Sequence, residues 1–192
     1  EAVRQELLDL GIPYEVDDVR ADAWSFEPSV SLDTLSTFHS GYFEIQDRNS
    51  QRVGDYFAVA SGEWWDVCAA SGGKSLMLLD RFPEVRITAT DVRESILVNL
   101  RERFQRAGHQ SFDAFRWDAS SATIPGKRFD GIIADVPCTG SGTWGRTPEM
   151  TRSMSGEAEL LRMVDLQRRI LKHCFPALLP GGRFVYVTCS VF

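Results

Sequence analysis

The feature that most constrains the fold of this chain is an alternation of short apolar segments and longer amphipathic segments, which begins near residue 61. The short segments have the length of strands, and the longer ones carry apolar residues at helical spacing. The predicted strands are 64–70, 86–90, 111–117, 129–135 and 183–189. The predicted helices are 74–82, 92–107 and 156–179, the last of them kinked near Pro176. This alternation predicts an α/β fold with a parallel sheet covered by helices on both faces.

Right-handed crossovers between such strands give a doubly wound, Rossmann-like sheet, whose ligands lie at the carboxyl ends of the strands. We expect the second helix to face the core with Ile96, Leu97, Leu100 and Phe104, and the third with Leu160, Val164, Leu171 and Leu178. Residues 1–47 are predicted to form a short N-terminal helical extension or the remnant of a preceding domain. Its helices, 3–10 and 31–38, are too small to bury a core alone.

Composition excludes several classes of protein. No apolar run approaches the ~20 residues of a membrane span, and no signal peptide opens the chain, so we expect a cytoplasmic protein without a membrane partner. The cysteines are Cys68, Cys138, Cys174 and Cys189, and the three histidines are scattered between them. Neither residue type has the spacing of a zinc site, so we expect reduced thiols and no metal.

The net charge of −6 would disfavour a nucleic-acid partner, but the charge is unevenly distributed. Residues 1–60 carry 12 acidic and 4 basic side chains, whereas residues 61–192 carry 15 acidic and 17 basic ones. The larger part of the chain is therefore mildly basic and compatible with RNA.

A glycine-containing loop follows the first predicted strand. Gly72 and Gly73 allow the backbone to approach a ligand at the beginning of a helix. Asp91 lies 18 residues beyond Gly73, at the end of the next strand, where a carboxylate can bind ribose hydroxyls. Together these residues indicate a nucleoside-type cofactor.

Two alternatives use the same loop. Gly73-Lys74-Ser75 is similar to the end of a phosphate-binding P-loop, G-x-x-x-x-G-K-S, although the first glycine position is occupied by Cys68. A P-loop NTPase would also give Asp91 no role. The other alternative is a tight turn in an α/β domain without catalytic function.

Two further strand ends carry reactive side chains. The fourth predicted strand ends in Asp135-Val136-Pro137-Cys138, and the fifth in Thr188-Cys189-Ser190. These ends are neighbours in a doubly wound sheet, so two thiols and a carboxylate converge beside the cofactor. Carbon 5 of cytosine becomes a nucleophile when a thiolate adds to carbon 6. An acid near ring nitrogen 3 favours that addition, and a base must afterwards remove the proton from carbon 5.

These motifs resemble the S-adenosylmethionine-dependent RNA cytosine-5 methyltransferases of the Sun/RsmB-like group. The resemblance covers about residues 41–192. It is carried by Gly41-Tyr42-Phe43-Glu44-Ile45-Gln46-Asp47, Ser50-Gln51, the 68–74 loop, Asp91, Asp118, Asp135 to Cys138, and Thr188-Cys189-Ser190. It implies a class I methyltransferase sheet, with residues 48–192 as the catalytic domain and RNA as partner, ribosomal RNA rather than transfer RNA.

The resemblance also implies a role for each site residue. The methionine part of S-adenosylmethionine would be cradled by Cys68, Ala69, Ala70, Ser71, Gly72, Gly73 and Lys74. Asp91 would bind the ribose, Asp118 would face the adenine, and Asp135 would lie between the methyl donor and the cytosine. Cys189 would be the nucleophile, with a lowered pKa, and Cys138 would aid release of the product. A non-catalytic factor that binds the cofactor and RNA during ribosome assembly is the main functional alternative.

The chain departs from the family pattern at three places. Ser71 stands where the family usually has proline, which predicts a less rigid loop. Trp144-Gly145-Arg146 replaces a region with two basic residues, so Trp144, Arg146 and Arg152 are the candidate RNA contacts. The chain also ends three residues after Cys189, so we expect the sheet to lack C-terminal strands present in the family.

Overall fold

The computed structural model describes residues 1–58, 62–124, 126–145 and 156–191. The strands are β1 (Glu15–Val16), β2 (Trp24–Ser25), β3 (Gly62–Asp66), β4 (Val85–Asp91), β5 (Asp113–Arg116), β6 (Phe129–Asp135) and β7 (Leu178–Val187). The α-helices are α1 (Ala2–Asp9), α2 (Ser36–His39), α3 (Arg48–Arg52), α4 (Gly73–Arg81), α5 (Glu94–Arg106) and α6 (Glu157–Cys174). β1 and β2 form an antiparallel pair, and the other five strands form one sheet.

The five-stranded sheet is parallel throughout and has the order β5-β4-β3-β6-β7. The chain runs outward from β3 to β5 and then returns to place β6 on the other side of β3. This order confirms the predicted doubly wound sheet. Its topological switch point lies between the carboxyl ends of β3 and β6, which is where ligands of such sheets bind.

The core lies on both faces of the sheet. Successive residues of a strand point to opposite faces, so the adjacent Trp64 and Trp65 on β3 enter two different apolar clusters, and both are fully buried. Helices α4 and α5 cover the Trp64 face, and α6 covers the Trp65 face. On α5, Leu97, Leu100 and Phe104 are fully buried as predicted. Ile96 is only half-buried.

The prediction of one helix over residues 156–179 is wrong at its C-terminal end. Helix α6 ends at Cys174 and is followed by a 3-10 turn, Phe175–Ala177, that contains Pro176. Proline has no backbone N–H and ends the helix instead of kinking it. Strand β7 begins already at Leu178, which pairs with Phe129 across a register shift that Gly181, at φ +82°, accommodates.

The predicted core face of this helix is also wrong. Ile170 and Cys174 are the buried residues of α6, whereas Leu160 is exposed and Val164 and Leu171 are half-buried. The first and fifth predicted strands end too late, because β3 ends at Asp66 and β7 at Val187. In both places the loop that follows the strand begins with apolar or small residues, so the sequence pattern extends the predicted strand into the loop.

The N-terminal residues pack onto the same body. The carboxylate of Glu6 on α1 accepts hydrogen bonds from the backbone N–H groups of Ser36 and Thr37 at the start of α2, at 2.7 and 3.0 Å. The hydrogen bond from the Thr37 hydroxyl is the largest cause that lowers the pKa of Glu6 to about 2. The helix predicted over 31–38 is a 3-10 turn, Leu32–Thr34, followed by α2. The β1–β2 pair was not predicted.

The contact between β6 and Trp64 yields a first prediction. Gly131 pairs with Trp64, and a Cβ at position 131 would lie 2.1 Å from Cε2 of the buried indole. Gly131→Ala is therefore expected to lower the free energy of unfolding by about 3 kcal/mol through steric overlap. Urea unfolding followed by tryptophan fluorescence measures the change.

Gly145→Ala is the matched control. Among the described residues, no atom lies within 4 Å of a Cβ built at Gly145, so that variant is expected to stay within about 0.5 kcal/mol of the parent chain. Equal stability of the two alanine variants would contradict the packing described for Gly131.

Candidate cofactor and catalytic site

Residues 68–74, here called the cofactor loop, bend the chain from β3 into α4. Ala70 has a φ of +47° and Gly72, the N-cap of α4, a φ of +80°. The Ala69 N–H donates to the Thr90 carbonyl at 2.9 Å, and the Gly72 N–H donates to the Ala69 carbonyl at 2.8 Å. The loop therefore reaches the helix N-terminus in a fixed tight turn, which leaves the first N–H groups of α4 available to an anionic group.

Asp91 lies at the end of β4, beside the cofactor loop, as predicted. Its carboxylate accepts a hydrogen bond from the Ala70 N–H at 3.0 Å and from the Arg93 guanidinium at 2.9 and 3.1 Å. Burial opposes ionisation, but the hydrogen bonds from Arg93 outweigh it and lower the pKa of Asp91. An ionised carboxylate is thus held at the position where a ribose would be bound.

A second carboxylate, Asp66, lies buried beneath the loop and was not predicted as a site residue. Its Oδ2 accepts a hydrogen bond from the Ser75 hydroxyl at 2.7 Å, and its Oδ1 has no hydrogen-bond partner among the described residues. Burial is the main cause that raises the pKa of Asp66 to about 7. Asp135 and Asp91 add to this effect by charge repulsion.

Asp135 ends β6 next to the switch point, and its Oδ2 lies 2.5 Å from Nζ of Lys74. This ion pair fixes the carboxylate at the mouth of the site. It also bears on the P-loop alternative, because Lys74 and Ser75 would there face phosphate and Mg²⁺. Instead, Lys74 binds Asp135 and Ser75 binds Asp66.

Asp118 lies two residues beyond the end of β5 and is exposed. Its carboxylate accepts hydrogen bonds from the Ser120 N–H, the Ser120 hydroxyl and the Ser121 hydroxyl at 2.9, 2.7 and 2.7 Å. The bond from the Ser120 hydroxyl contributes most to lowering the pKa of Asp118. This carboxylate therefore stabilises the turn that follows β5. Its predicted contact with adenine stays a prediction.

The structure brings Cys138 and Cys189 together. The two sulfurs lie 3.0 Å apart as free thiols, with Cys189 exposed and Cys138 half-buried. Backbone contacts lock the two loops together, because the Gly142 N–H donates to the Cys189 carbonyl at 2.7 Å. A Cβ at Gly142 would lie 2.8 Å from that oxygen, so the approach requires glycine.

Three hydroxyl groups add to this link and were not predicted. The Thr139 hydroxyl lies 2.7 Å from the Ser190 hydroxyl and 3.1 Å from that of Ser141. Ser141 in turn accepts a hydrogen bond from the Val191 N–H at 2.8 Å. The concentration of Ser and Thr around both cysteines is visible in the sequence and could have indicated this network.

The two thiols differ in acidity. Burial opposes ionisation of Cys138, but hydrogen bonds from Thr188, Cys189 and the Gly140 backbone outweigh it and lower its pKa to about 7. Burial and the neighbouring Cys138 raise the pKa of Cys189 to about 11. The expectation of a lowered pKa at Cys189 is therefore wrong for the free protein, where Cys138 is the more acidic of two coupled thiols.

A further pair of side chains connects the two cysteine-bearing strand ends. Gln167 on α6 donates to the Pro137 carbonyl at 2.8 Å and accepts from the Tyr186 hydroxyl at 2.9 Å. Neither residue was predicted as a site residue, since a glutamine on a helix and a tyrosine in a strand carry no distinctive signal. Trp144 follows a 3-10 turn, Ser141–Thr143, and is half-buried. Arg146 and Arg152 lie outside the described residues.

Two further findings concern residues 1–58, 62–124, 126–145 and 156–191. There, His, Cys, Asp and Glu side chains form no group of three able to hold a metal ion. No helix within these ranges is long and apolar enough to cross a membrane.

Comparison with known proteins identifies the family. Residues 58–192 match the family model described as 16S rRNA methyltransferase RsmB/F. Ribosomal RNA small subunit methyltransferase B of Xanthomonas campestris is 34% identical over 189 residues, which cover 96% of this chain and 43% of that protein. The corresponding protein of Xylella fastidiosa is 35% identical over 173 residues, which cover 88% of this chain and 40% of that protein. The chain thus spans less than half the length of these relatives.

Solved structures agree with this assignment. The crystal structure of PH0851 superposes with a TM-score of 0.92 at 29% identity, covering all of this chain and 44% of that one. NSun6 from Pyrococcus horikoshii, solved with SFG, superposes with a TM-score of 0.77 at 25% identity, and the match covers 85% of this chain and 42% of that one. SFG is an analogue of S-adenosylmethionine.

The site fits S-adenosylmethionine, the cofactor of this class of methyltransferase. The N-terminus of α4 suits its carboxylate, and the carboxylates of Asp91 and Asp135 suit its hydroxyls and positive charges. Asp66 lies buried under the loop and accepts the Ser75 hydroxyl hydrogen bond there. With this site on a doubly wound sheet, and a family model that matches most of its length, the chain belongs to the RsmB/F family of 16S rRNA methyltransferases.

Proposed function

We propose that this chain is the catalytic part of an RNA methyltransferase that acts on carbon 5 of a cytosine, in ribosomal rather than transfer RNA. The observation that carries the proposal is the pair of free thiols, Cys138 and Cys189, 3.0 Å apart beside the Lys74–Asp135 ion pair. The RsmB/F relatives, which are named for ribosomal RNA methylation, support the substrate class.

In this proposal, Cys189 is the nucleophile. It is the exposed thiol of the pair, and its sulfur donates an electron pair to carbon 6 of a cytosine that has been flipped out of the stack. The electron pair of the 5,6 double bond shifts to the bond between carbons 4 and 5, the π pair between carbon 4 and nitrogen 3 shifts to nitrogen 3, and carbon 5 becomes an enamine-type nucleophile. Bound S-adenosylmethionine supplies the electrophilic methyl group. Asp135, oriented by Lys74, contacts the base, relays a proton from solvent to ring nitrogen 3 during addition and takes that proton back when the 5,6 double bond is restored.

Cys138 is proposed to aid release. As Cys189 adds to carbon 6, its proton stays with Cys138, the partner to which it is hydrogen-bonded. Cys138 must lose this proton before it can accept the one on carbon 5, and a pKa of about 7 permits that loss at neutral pH. Removal of the carbon 5 proton restores the double bond, breaks the bond between sulfur and carbon 6, and frees Cys189.

The remaining assignments are proposals of the same kind. Residues 68–74 and Asp91 would hold S-adenosylmethionine, and Asp118 would face its adenine. Trp144 would stack on an unpaired base of the RNA, and Arg146 and Arg152 would hold phosphates. These roles concern the whole protein, of which the chain spans a part.

Covalent trapping tests this function. Cys138→Ala is expected to accumulate an RNA–protein adduct, because addition proceeds but the carbon 5 proton is not removed. The same substitution removes the two causes by which Cys138 raises the pKa of Cys189, so the exposed Cys189 thiol can lose its proton to solvent and addition proceeds without Cys138. The variant is incubated with unmodified ribosomal RNA and S-adenosylmethionine, and the adduct is detected as a shifted band on a denaturing gel.

Cys138→Ala/Cys189→Ala is the control and is expected to give no adduct. Sequencing of the trapped RNA identifies the cytosine, and a parallel incubation with transfer RNA tests the substrate preference. No adduct from Cys138→Ala, with cofactor binding intact, would contradict the proposal and favour the non-catalytic assembly factor.

A further inference from the structure

The cofactor loop is enclosed between helix α5 and the N-terminal segment 41–47. A Cβ at Gly72 would lie 2.6 Å from the Phe104 ring and 2.9 Å from Leu100, so the loop backbone rests directly on α5. A Cβ at Gly73 would lie 3.4 Å from Arg103 and 3.5 Å from the Gln46 amide. The conformation of the loop therefore depends on both neighbours.

Arg103 connects these neighbours through its guanidinium. Its Nη1 donates to the Ser71 hydroxyl at 3.1 Å and approaches the Ser71 carbonyl at 3.5 Å. Its Nε donates to Oε2 of Glu44 at 2.7 Å. The side chains of Arg103 and Glu44 are only 19% and 20% exposed, so these contacts are well shielded from solvent.

Glu44 is itself anchored. Its other carboxylate oxygen lies 2.5 Å from Arg106, and the Arg106 guanidinium stacks over the Phe38 ring at 4.1 Å. Glu44 is thus held by two arginines one turn apart on α5. A fixed carboxylate holds the guanidinium of Arg103 in one orientation, because the planar fork of arginine binds two acceptors in set directions.

We propose that Arg103 is a positioning residue for cofactor binding, which uses Glu44 of the N-terminal segment to hold Ser71 and with it the cofactor loop. The inference rests on the proposed placement of S-adenosylmethionine at residues 68–74. Serine at position 71 does not fix its own backbone, so the loop would lose conformational entropy on binding the cofactor. A loop already held by Arg103 has lost that entropy before the cofactor arrives.

Isothermal titration of the full chain with S-adenosylmethionine tests the proposal. Arg103→Met is expected to raise the dissociation constant about tenfold, the typical effect of losing a charge-assisted hydrogen bond. Ser71→Ala is expected to weaken binding in the same direction, and Arg103→Met/Ser71→Ala to bind as weakly as Arg103→Met alone. Glu44→Gln is expected to weaken binding as well, because Arg103 loses its anchor.

Arg101→Met is the matched control, since Arg101 lies on the same helix but binds Glu94 and the Ala114 carbonyl. Its dissociation constant is expected to equal that of the parent chain. Thermal unfolding of each variant separates folding from binding. If Arg103→Met fails to fold, Ser71→Ala and Glu44→Gln still decide the question.

Three outcomes would overturn the inference. The first is a lowered melting temperature for Arg103→Met with an unchanged dissociation constant, which would make the residue purely structural. The second is additive effects of Arg103→Met and Ser71→Ala, which would mean that the two residues act independently. The third is unchanged affinity in both Ser71→Ala and Glu44→Gln. Failure of the parent chain to bind S-adenosylmethionine would instead overturn the proposed function together with this inference.

Discussion

Cys189→Ala is expected to lower methyl transfer to RNA by a factor on the order of 10⁴ or more, the scale seen when a covalent nucleophile is removed. Without the sulfur, carbon 5 of cytosine never becomes nucleophilic. The alanine removes one exposed sulfur two residues beyond the end of β7, where its side-chain hydrogen bond is with Cys138 and not with the cofactor loop. Affinity for S-adenosylmethionine is therefore expected to stay within about twofold of the parent chain.

The measurement is transfer of a radioactive methyl group from S-adenosylmethionine to unmodified ribosomal RNA, with cofactor affinity determined by titration. Cys174→Ala is the matched control, because Cys174 is a thiol buried on α6 outside the cysteine pair. It is expected to cost stability through a cavity but to keep methyl transfer per folded molecule.

Two results would contradict this assignment. Normal turnover by Cys189→Ala would exclude Cys189 as the nucleophile. Loss of turnover and of adduct in Cys138→Ala, with Cys189→Ala active, would make Cys138 the nucleophile. That second result has a physical basis, since Cys138 is the more acidic thiol in the free protein.

The sheet could be predicted from the sequence because most of its strands contain a short apolar segment, and β3, β4 and β6 each end at an aspartate. The bounds of β6 were predicted without error, and those of β4 and α5 within two residues at each end. Errors arose where local composition and tertiary structure disagree. Pro176 was assigned to a kink, but the chain needed to enter β7 immediately after it.

For the candidate site, the sequence could predict which residues lie at the same edge of the sheet, but not which side chains contact each other there. Parallel strands bring Asp91, Asp135, Cys138 and Cys189 to that edge whatever their side-chain contacts are. Contacts between distant segments could not be predicted. The Arg103 link to Glu44 and the Gln167 bridge depend on how α5 and α6 rotate in packing, which no local pattern encodes. The order of acidity of the thiols depends on those contacts too.

The free energy of unfolding of this protein is expected to fall as the pH rises from about 4 to about 7, because the buried carboxyl group of Asp66 holds a proton in the folded state. Burial is the main cause that raises the pKa of Asp66 from its ordinary value of 3.8 to about 7 in the folded chain. Between these values the folded state holds a proton that the unfolded state has lost, so each rise in pH favours unfolding. Above the pKa of Asp66 in the folded state, both states have lost the proton, and the free energy of unfolding falls no further through this group.

Asp66→Asn isolates this contribution. The amide has the shape of the protonated carboxyl group, can accept the Ser75 hydroxyl bond, and does not titrate. Each tenfold change in proton affinity corresponds to about 1.4 kcal/mol. The free energy of unfolding of the variant is therefore expected to be larger than that of the parent chain by on the order of 4 kcal/mol at pH 8, and equal to it near pH 4. Urea unfolding across this pH range, without cofactor, gives the difference.

Asp165→Asn serves as the control, because Asp165 is an exposed carboxylate on α6, paired with Arg169. Its stability is expected to follow that of the parent chain at every pH. A parent chain and an Asp66→Asn variant with parallel stability profiles would contradict a protonated Asp66 beneath the loop. If the variant is instead less stable at pH 8, the ionised carboxylate must be stabilised by the Ser75 hydrogen bond and by the positive charge of Lys74, the two causes that lower the pKa of Asp66. The two stability profiles therefore decide what controls the pKa of Asp66 beneath the cofactor loop: burial, which raises it, or the Ser75 hydrogen bond and the charge of Lys74, which lower it.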